Sequence, residues 1–202
     1  MAPDHTHRNA AQSRGFARVC GVDEAGRGPL AGPVVCAAVI LGASSVPEGL
    51  NDSKALSPKR RERMLNALLE SAEIAISVVE PPEIDAMNIL WASMAGMSRA
   101  VRELEADYAL IDGNRLPPDL HCDGEAIIKG DAKSLSIAAA SIVAKVMRDR
   151  LMIEADARYP GYGLAKHKGY PTRAHMDAIE RLGPTPIHRW SFAPVRKAWR
   201  LL

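Results

Sequence analysis

Residues 33–41 read PVVCAAVIL, a run with no charged side chain. A strand this apolar on both alternating faces suits the middle of a sheet that is covered on each side. A second run, VCGVDE at 19–24, precedes it, and the glycine-rich AGRGPLAG joins the two. The rest of the chain supplies covering helices and further strands. Ser57-Pro58 opens a helix, with serine as cap and proline in the first turn. Met64, Leu65, Leu68 and Leu69 give that helix an apolar stripe. Residues 74–79 (IAISVV) alternate as a strand does, and the prolines at 81–82 lead into a helical stretch reaching about Glu105. Short apolar strands at 108–111 and 126–128 end in Asp112-Gly113-Asn114 and near Gly130-Asp131. A long helix is predicted over about 134–157, and Thr172 caps another reaching Leu182. Prolines at 184, 186 and 194 then break up the tail before a last short helix. This order predicts a mixed α/β sheet with helices on its faces.

Composition narrows the class. With 47% hydrophobic and 25% charged residues, the chain has the balance of a globular domain rather than a disordered one. Residues 1–18 are the exception and read as a disordered tail, which leaves 19–202 as a single domain. The tail lacks the apolar centre of a signal peptide, and no stretch is long and apolar enough for a membrane span. Cys20, Cys36 and Cys122 stand in no metal-ligand spacing, so reduced thiols in a cytoplasmic protein are expected. The net charge of +2 is unevenly spread. Residues 159–202 hold eight Lys/Arg against two Asp/Glu, while the preceding chain holds eighteen against twenty-two. A basic C-terminal segment on an acidic body suggests that one face meets a polyanion; a merely solvated basic surface fits the charge as well.

Four carboxylates stand out by position. Asp23 and Glu24 close the first strand, Asp112 closes a later one, and Asp131 lies between a short strand and the long helix. Ligands of open α/β sheets gather at the carboxyl ends of strands, so these positions can converge. Each alone is equally an ordinary turn or cap residue. Adjacent strand side chains point to opposite faces, so Asp23 and Glu24 reach one site only if the chain turns there. Gly26 and Gly28 make that turn possible. The six histidines are scattered with no ligand spacing, and an all-oxygen site selects magnesium or manganese over zinc.

The stretch GVDEAGRGPLAGPVV at 21–35 resembles the signature of the bacterial ribonuclease HII family, within the type 2 ribonucleases H. In the same order follow NDSKALS at 51–57, LIDGN at 110–114, IIKGDAKSLSIAAASIVAKV at 127–146, YPGYGLAKHKGYPT at 159–172 and HRWSFAPV at 188–195. The resemblance runs through nearly all of the chain from Val19. It implies a ribonuclease H-like mixed five-stranded sheet flanked by helices, with a small C-terminal helical extension over about 159–202. It also implies that Asp23, Glu24, Asp112 and Asp131 are the catalytic and metal-binding acids, with Asp23 the candidate to bridge two Mn²⁺ or Mg²⁺ ions ~4 Å apart. Gly26, Arg27 and Gly28 match a GRG motif whose backbone contacts the ribonucleotide 2′-hydroxyl. Tyr170 matches the tyrosine that packs at the junction with the following deoxynucleotide, and Lys54, Ser141 and Lys145 lie along the nucleic-acid path. Trp190 and Met147 depart from the family pattern, at positions that bear on substrate contact and packing rather than on the acids.

The implied activity is endonucleolytic cleavage of RNA in RNA/DNA hybrids, and 5′ of single ribonucleotides in duplex DNA, leaving 3′-hydroxyl and 5′-phosphate ends. The implied partners are those duplexes, with no membrane and a monomeric enzyme. Lys166, Lys168, Arg173, Arg189, Arg196 and Lys197 would attract the phosphate backbone. Three rivals remain open at this point, the third a structural protein with an acidic cleft for calcium, which leaves the basic tail unexplained. A resolvase- or transposase-like nuclease would use similar acids and ignore the 2′-hydroxyl, and a silent binding module would show no turnover.

Overall fold

The computed structural model describes residues 3–42, 46–51 and 53–199. Residues 1–2 of the expected tail and 200–202 of the basic segment lie outside them. Among the described residues, five strands form one sheet: β1 (Val19–Ala25), β2 (Val34–Leu41), β3 (Ala72–Val79), β4 (Tyr108–Asp112) and β5 (Asp123–Ile127). Their order is β3-β2-β1-β4-β5. The first three pair antiparallel, while β4 joins β1, and β5 joins β4, in parallel. The mixed sheet with helices on both faces is the expected fold class.

PVVCAAVIL behaves as its composition requires. Val34, Cys36 and Ala38 of β2 face one apolar cluster, shared with Ala92, Met97 and Val101 of helix α4 (Ile89–Glu103). Ala37, Val39 and Leu41 face the other, shared with helices α2 (Pro58–Ser71) and α5 (Leu135–Arg158). Helix α5 presses hard on β1. A Cβ at Gly21 would lie 2.0 Å from the Ser136 carbonyl carbon, so only glycine lets helix and strand approach this closely.

Several local expectations are corrected. Residues 1–18 are not a disordered tail where they are described. Thr6–Ser13 form helix α1, Ala11 is 2% exposed, and the Phe16 ring lies 4.7 Å from that of Tyr108. Asp4 also bonds to the turn before α5, giving its N–H to Lys133 and accepting from Leu135. The helical stretch after Pro81 is broken into α3 (Pro81–Met87) and α4, because Asn88 takes a left-handed φ of 64°. Its side chain accepts from the N–H groups of Leu90 and Trp91, starting the second helix. Leu69 is 60% exposed and leaves the stripe of α2 to Met64, Leu65 and Leu68. The fifth strand begins at Asp123 rather than Ala126.

The C-terminal segment carries α6 (Leu164–His167), α7 (Arg173–Leu182) and α8 (Ala193–Trp199). Its apolar cluster includes Leu30 and Ala31 from the glycine-rich loop and Met152 from α5, so it packs directly behind that loop. No described helix is long and apolar enough to cross a membrane.

Candidate active site

The three strands that bring acids together end at one side of the sheet or lead into it. Asp23 and Glu24 lie near the end of β1, Asp112 ends the parallel neighbour β4, and Asp131 sits in the 3-10 turn between β5 and α5. Oxygens of Asp23, Asp112 and Asp131 all lie within 4.8 Å of one another. Glu24 stands outside that group of three but lines the same cleft, where Arg27 Nη1 approaches it to 3.4 Å. The turn that follows comes at Gly26, after both acids, so their side chains still alternate along the strand.

Burial dominates the electrostatics. It raises the Asp23 carboxyl well above the usual range, reinforced by the negative charges of Glu24 and Asp112. Burial also lifts Glu24 to about 7 against the pull of Arg27, with Asp112 adding to the rise. Asp112 is raised by burial too, although the Gly130 N–H donates to it at 2.6 Å. Lys54 Nζ donates to Asp131 at 2.8 Å. Clustered buried carboxylates repel one another and resist ionisation, and divalent cations on their oxygens remove that penalty. The donor set therefore fits hard cations.

The acids open on a cleft of about 270 Å³. Of the eleven residues singled out in the sequence, all but Asp131 line it, and Asp131 reaches it through Lys54. Ser141 Oγ lies 2.8 Å from Ser53 Oγ, and Lys145 Nζ donates to Asp149 at 2.7 Å, four residues along the same helix. Gly28 and Tyr170 meet across the cleft wall: a Cβ at Gly28 would lie 3.5 Å from the Tyr170 ring, which is 43% exposed. Behind that ring the Tyr170 carbonyl lies 3.0 Å from His175 Nδ1, and His175 Nε2 lies 3.2 Å from His188 Nε2. His167, half-buried, stacks on His175, so three histidines scattered in sequence form one group whose inner members, His175 and His188, are fully buried.

Two arginines were misjudged or missed. Arg189, expected on the surface facing phosphates, is fully buried and binds backbone carbonyls of the glycine-rich loop. Arg148, 1% exposed, donates to Pro33, Ala31 and Lys168 and so ties the loop to the segment carrying Tyr170. Ser141, Lys145 and Arg148 share one face of α5 by helical spacing, a signal that could have found it.

An open mixed sheet that gathers buried carboxylates at its strand ends, beside a glycine loop and an exposed tyrosine, defines a metal-dependent nuclease of ribonuclease H type. The comparisons agree. The sequence pattern of the family described as Ribonuclease HII matches residues 20–195. A Ribonuclease HII of Magnetococcus marinus is 55% identical over 189 residues, covering 92% of this chain and 89% of its own. The crystal structure of ribonuclease H2 from Pyrococcus horikoshii OT3 is similar with TM-score 0.76 and 28% identity, covering 91% of this chain and 98% of that one. Bst-RNase HIII in complex with Mn²⁺ shares the fold, with TM-score 0.70 and 20% identity, covering 96% of this chain and 73% of its own. The chain belongs to the ribonuclease HII family. It is accordingly a metal-dependent endoribonuclease that degrades the RNA of RNA/DNA hybrids.

Proposed function

We propose that the cleft also cuts 5′ of a single ribonucleotide embedded in duplex DNA, leaving a 3′-hydroxyl and a 5′-phosphate. The observation that carries this reading is the placement of the acid cluster beside a wall built from Gly28 and the Tyr170 ring. A glycine backbone lets a sugar come close enough for its 2′-hydroxyl to be sensed, and that hydroxyl is what separates RNA from DNA. The tyrosine offers a flat face for the neighbouring sugar or base.

Asp23, Asp112 and Asp131, with Glu24 alongside, would hold two divalent cations, Mn²⁺ or Mg²⁺. Such ions supply an activated water on one side of the phosphate and charge stabilisation for the leaving oxygen on the other. Lys54 orients Asp131 through its 2.8 Å bond, and the Gly130 N–H fixes Asp112. Arg27, Ser141 and Lys145 line the path of the strand, while the exposed Lys166, Arg173, Arg196 and Lys197 attract the backbone without regard to sequence. The enzyme acts as a monomer in the cytoplasm on this reading.

The test is cleavage of a labelled DNA duplex containing one ribonucleotide, beside an all-DNA control, with and without Mn²⁺. A metal-dependent cut 5′ of the ribonucleotide with the control intact is expected. Cutting of both duplexes would assign a broader nuclease, and binding without cutting would assign a silent module.

A further inference from the structure

We propose that Arg189 is a positioning residue that turns the backbone N–H groups of Arg27 and Gly28 toward the substrate, making the glycine-rich loop a donor pair for an oxygen of the ribonucleotide. The inference rests on the reading that this cleft recognises a ribonucleotide, and it assigns to a buried side chain the aim of the groups that do so.

Arg189 is fully buried, and its guanidinium makes four bonds onto three carbonyls of one loop. Nη2 donates to Gly26 at 2.6 Å and to Gly32 at 2.8 Å, Nη1 donates to Arg27 at 2.9 Å, and Nε donates to Gly32 at 3.0 Å. In a trans peptide the C=O and N–H point in opposite directions, and this chain has no cis peptide among its described residues. Drawing the Gly26 carbonyl inward therefore turns the Arg27 N–H outward. Drawing the Arg27 carbonyl inward does the same for the Gly28 N–H. Both residues line the cleft. Farther along the loop the N–H groups are used internally, Leu30 donating to Gly169 and Gly32 to Ile187. Among the described residues no backbone acceptor takes the Arg27 or Gly28 N–H.

The charge matters as well as the shape. Arg189 forms no ion pair among the described residues, and its neighbour Asp85 accepts from Trp190 and Ser191. Burial pulls the guanidinium down to about 9, and the charge of Arg148 pushes the same way. A buried cation held by carbonyls and by the Phe192 ring, 5.3 Å from its guanidinium carbon, with no carboxylate paired to it among the described residues, is costly for a purely structural brace. Placed on the carbonyl side of two peptides, it polarises them and strengthens their N–H groups as donors. An electronegative oxygen on the far side then gains from both. Arg189 touches no substrate itself; it acts through the two peptides.

The test compares Arg189→Lys with the wild type. Lysine keeps the charge, but one ammonium cannot span three carbonyls. Binding is measured to two duplexes of one sequence, all-DNA and with a single ribonucleotide, with divalent cations omitted, and folding is checked by thermal unfolding. The expected result is a loss of about tenfold in the preference for the ribonucleotide duplex, the size of one lost hydrogen bond. Affinity for the all-DNA duplex should change less than about twofold, which general loosening of the site would not spare. An unchanged preference in folded Arg189→Lys overturns the proposal. A wild type with no preference overturns the functional reading as well, and is recognisable before any variant is made. Should Arg189→Lys not fold, amide exchange in the wild type decides. The Arg27 and Gly28 amides should exchange fast in the free protein and slow on binding the ribonucleotide duplex, and protection already present in the free protein would refute the assignment.

Discussion

Replacing Gly26 by alanine should cost far more stability than the same change at Gly28, two positions along the same loop. Gly26 holds φ at 104°, where a side chain costs about 1–3 kcal/mol. Its new Cβ would lie 2.0 Å from Arg148 Nε and 2.8 Å from the Pro33 carbonyl oxygen. The guanidinium can withdraw only by giving up bonds to Pro33 at 3.0 Å, Ala31 at 3.2 Å or Lys168 at 3.0 Å. Each bond from a charged donor is worth about 1.5–3 kcal/mol, so losing one brings the total to roughly 2.5–6 kcal/mol. That is a large share of the ~5–15 kcal/mol that holds a domain together. At Gly28 the added carbon would meet only the Tyr170 ring at ordinary contact distance, 3.5 Å. Gly28→Ala should stay within about 1 kcal/mol of the wild type while impairing cleavage, because it fills the wall that the sugar approaches. Urea unfolding followed by circular dichroism measures both. Equal stabilities for the two variants, or Gly26→Ala within 1 kcal/mol of the wild type, would refute the reasoning about Arg148.

Asp23→Asn should lower cleavage by roughly 10³-fold or more while duplex binding persists. In chelator the same variant should melt higher by at least about 2–4 °C, the shift that 1 kcal/mol produces in a chain of this size, because it removes a buried carboxyl whose ionisation is opposed by burial, Glu24 and Asp112; a lower melting point would contradict the repulsion argued here. Tyr170→Ala should reduce cleavage at a single ribonucleotide about tenfold while general duplex binding falls less, and equal losses would make the ring only structural. His188 should make the fold acid-sensitive. Burial pulls its imidazole down to about 4, with the His175 charge adding, while the unfolded chain titrates near 6.5. Between those values the unfolded chain binds a proton that the native one refuses, so stability falls as pH drops from about 6.5 to 4, by roughly 3 kcal/mol in all. Nitrogen shifts of His188 that titrate near 6.5 in the native protein would disprove this.

How much of this was legible in the sequence follows from how far each feature depends on distant chain. The interior strand β2 was legible because apolarity on both faces is a property of nine consecutive residues. The acids were legible because each follows or ends a short apolar run, and a resemblance spanning most of the chain then assigned them roles. The N-terminal helix was misread because THRNAAQS shows no apolar stripe; its anchors are Tyr108 and the turn before α5, far along the chain. The kink at Asn88 was hidden by good helix formers on both sides. The histidine group left no spacing to find, since His167, His175 and His188 meet only through the folding of the C-terminal segment.

Arg189 departs furthest from what its sequence context predicts, being fully buried in a basic segment. Arginine is mostly exposed, and a basic tail invites the picture of side chains reaching for phosphates. Yet Arg189 and Arg148 both turn inward, to six backbone carbonyls that carry no side-chain signature. The cleft therefore has buried carboxylates on one side and buried guanidiniums behind the other, each set costly to bury on its own. A phosphodiester accompanied by divalent cations is matched to that division: the cations answer the carboxylates, and the anionic strand answers the positive charge transmitted through the loop. On the proposed reading, binding and catalysis draw on charges that the fold could have avoided burying, and the glycine-rich loop is held by Arg148 of α5 and Arg189 of the C-terminal segment.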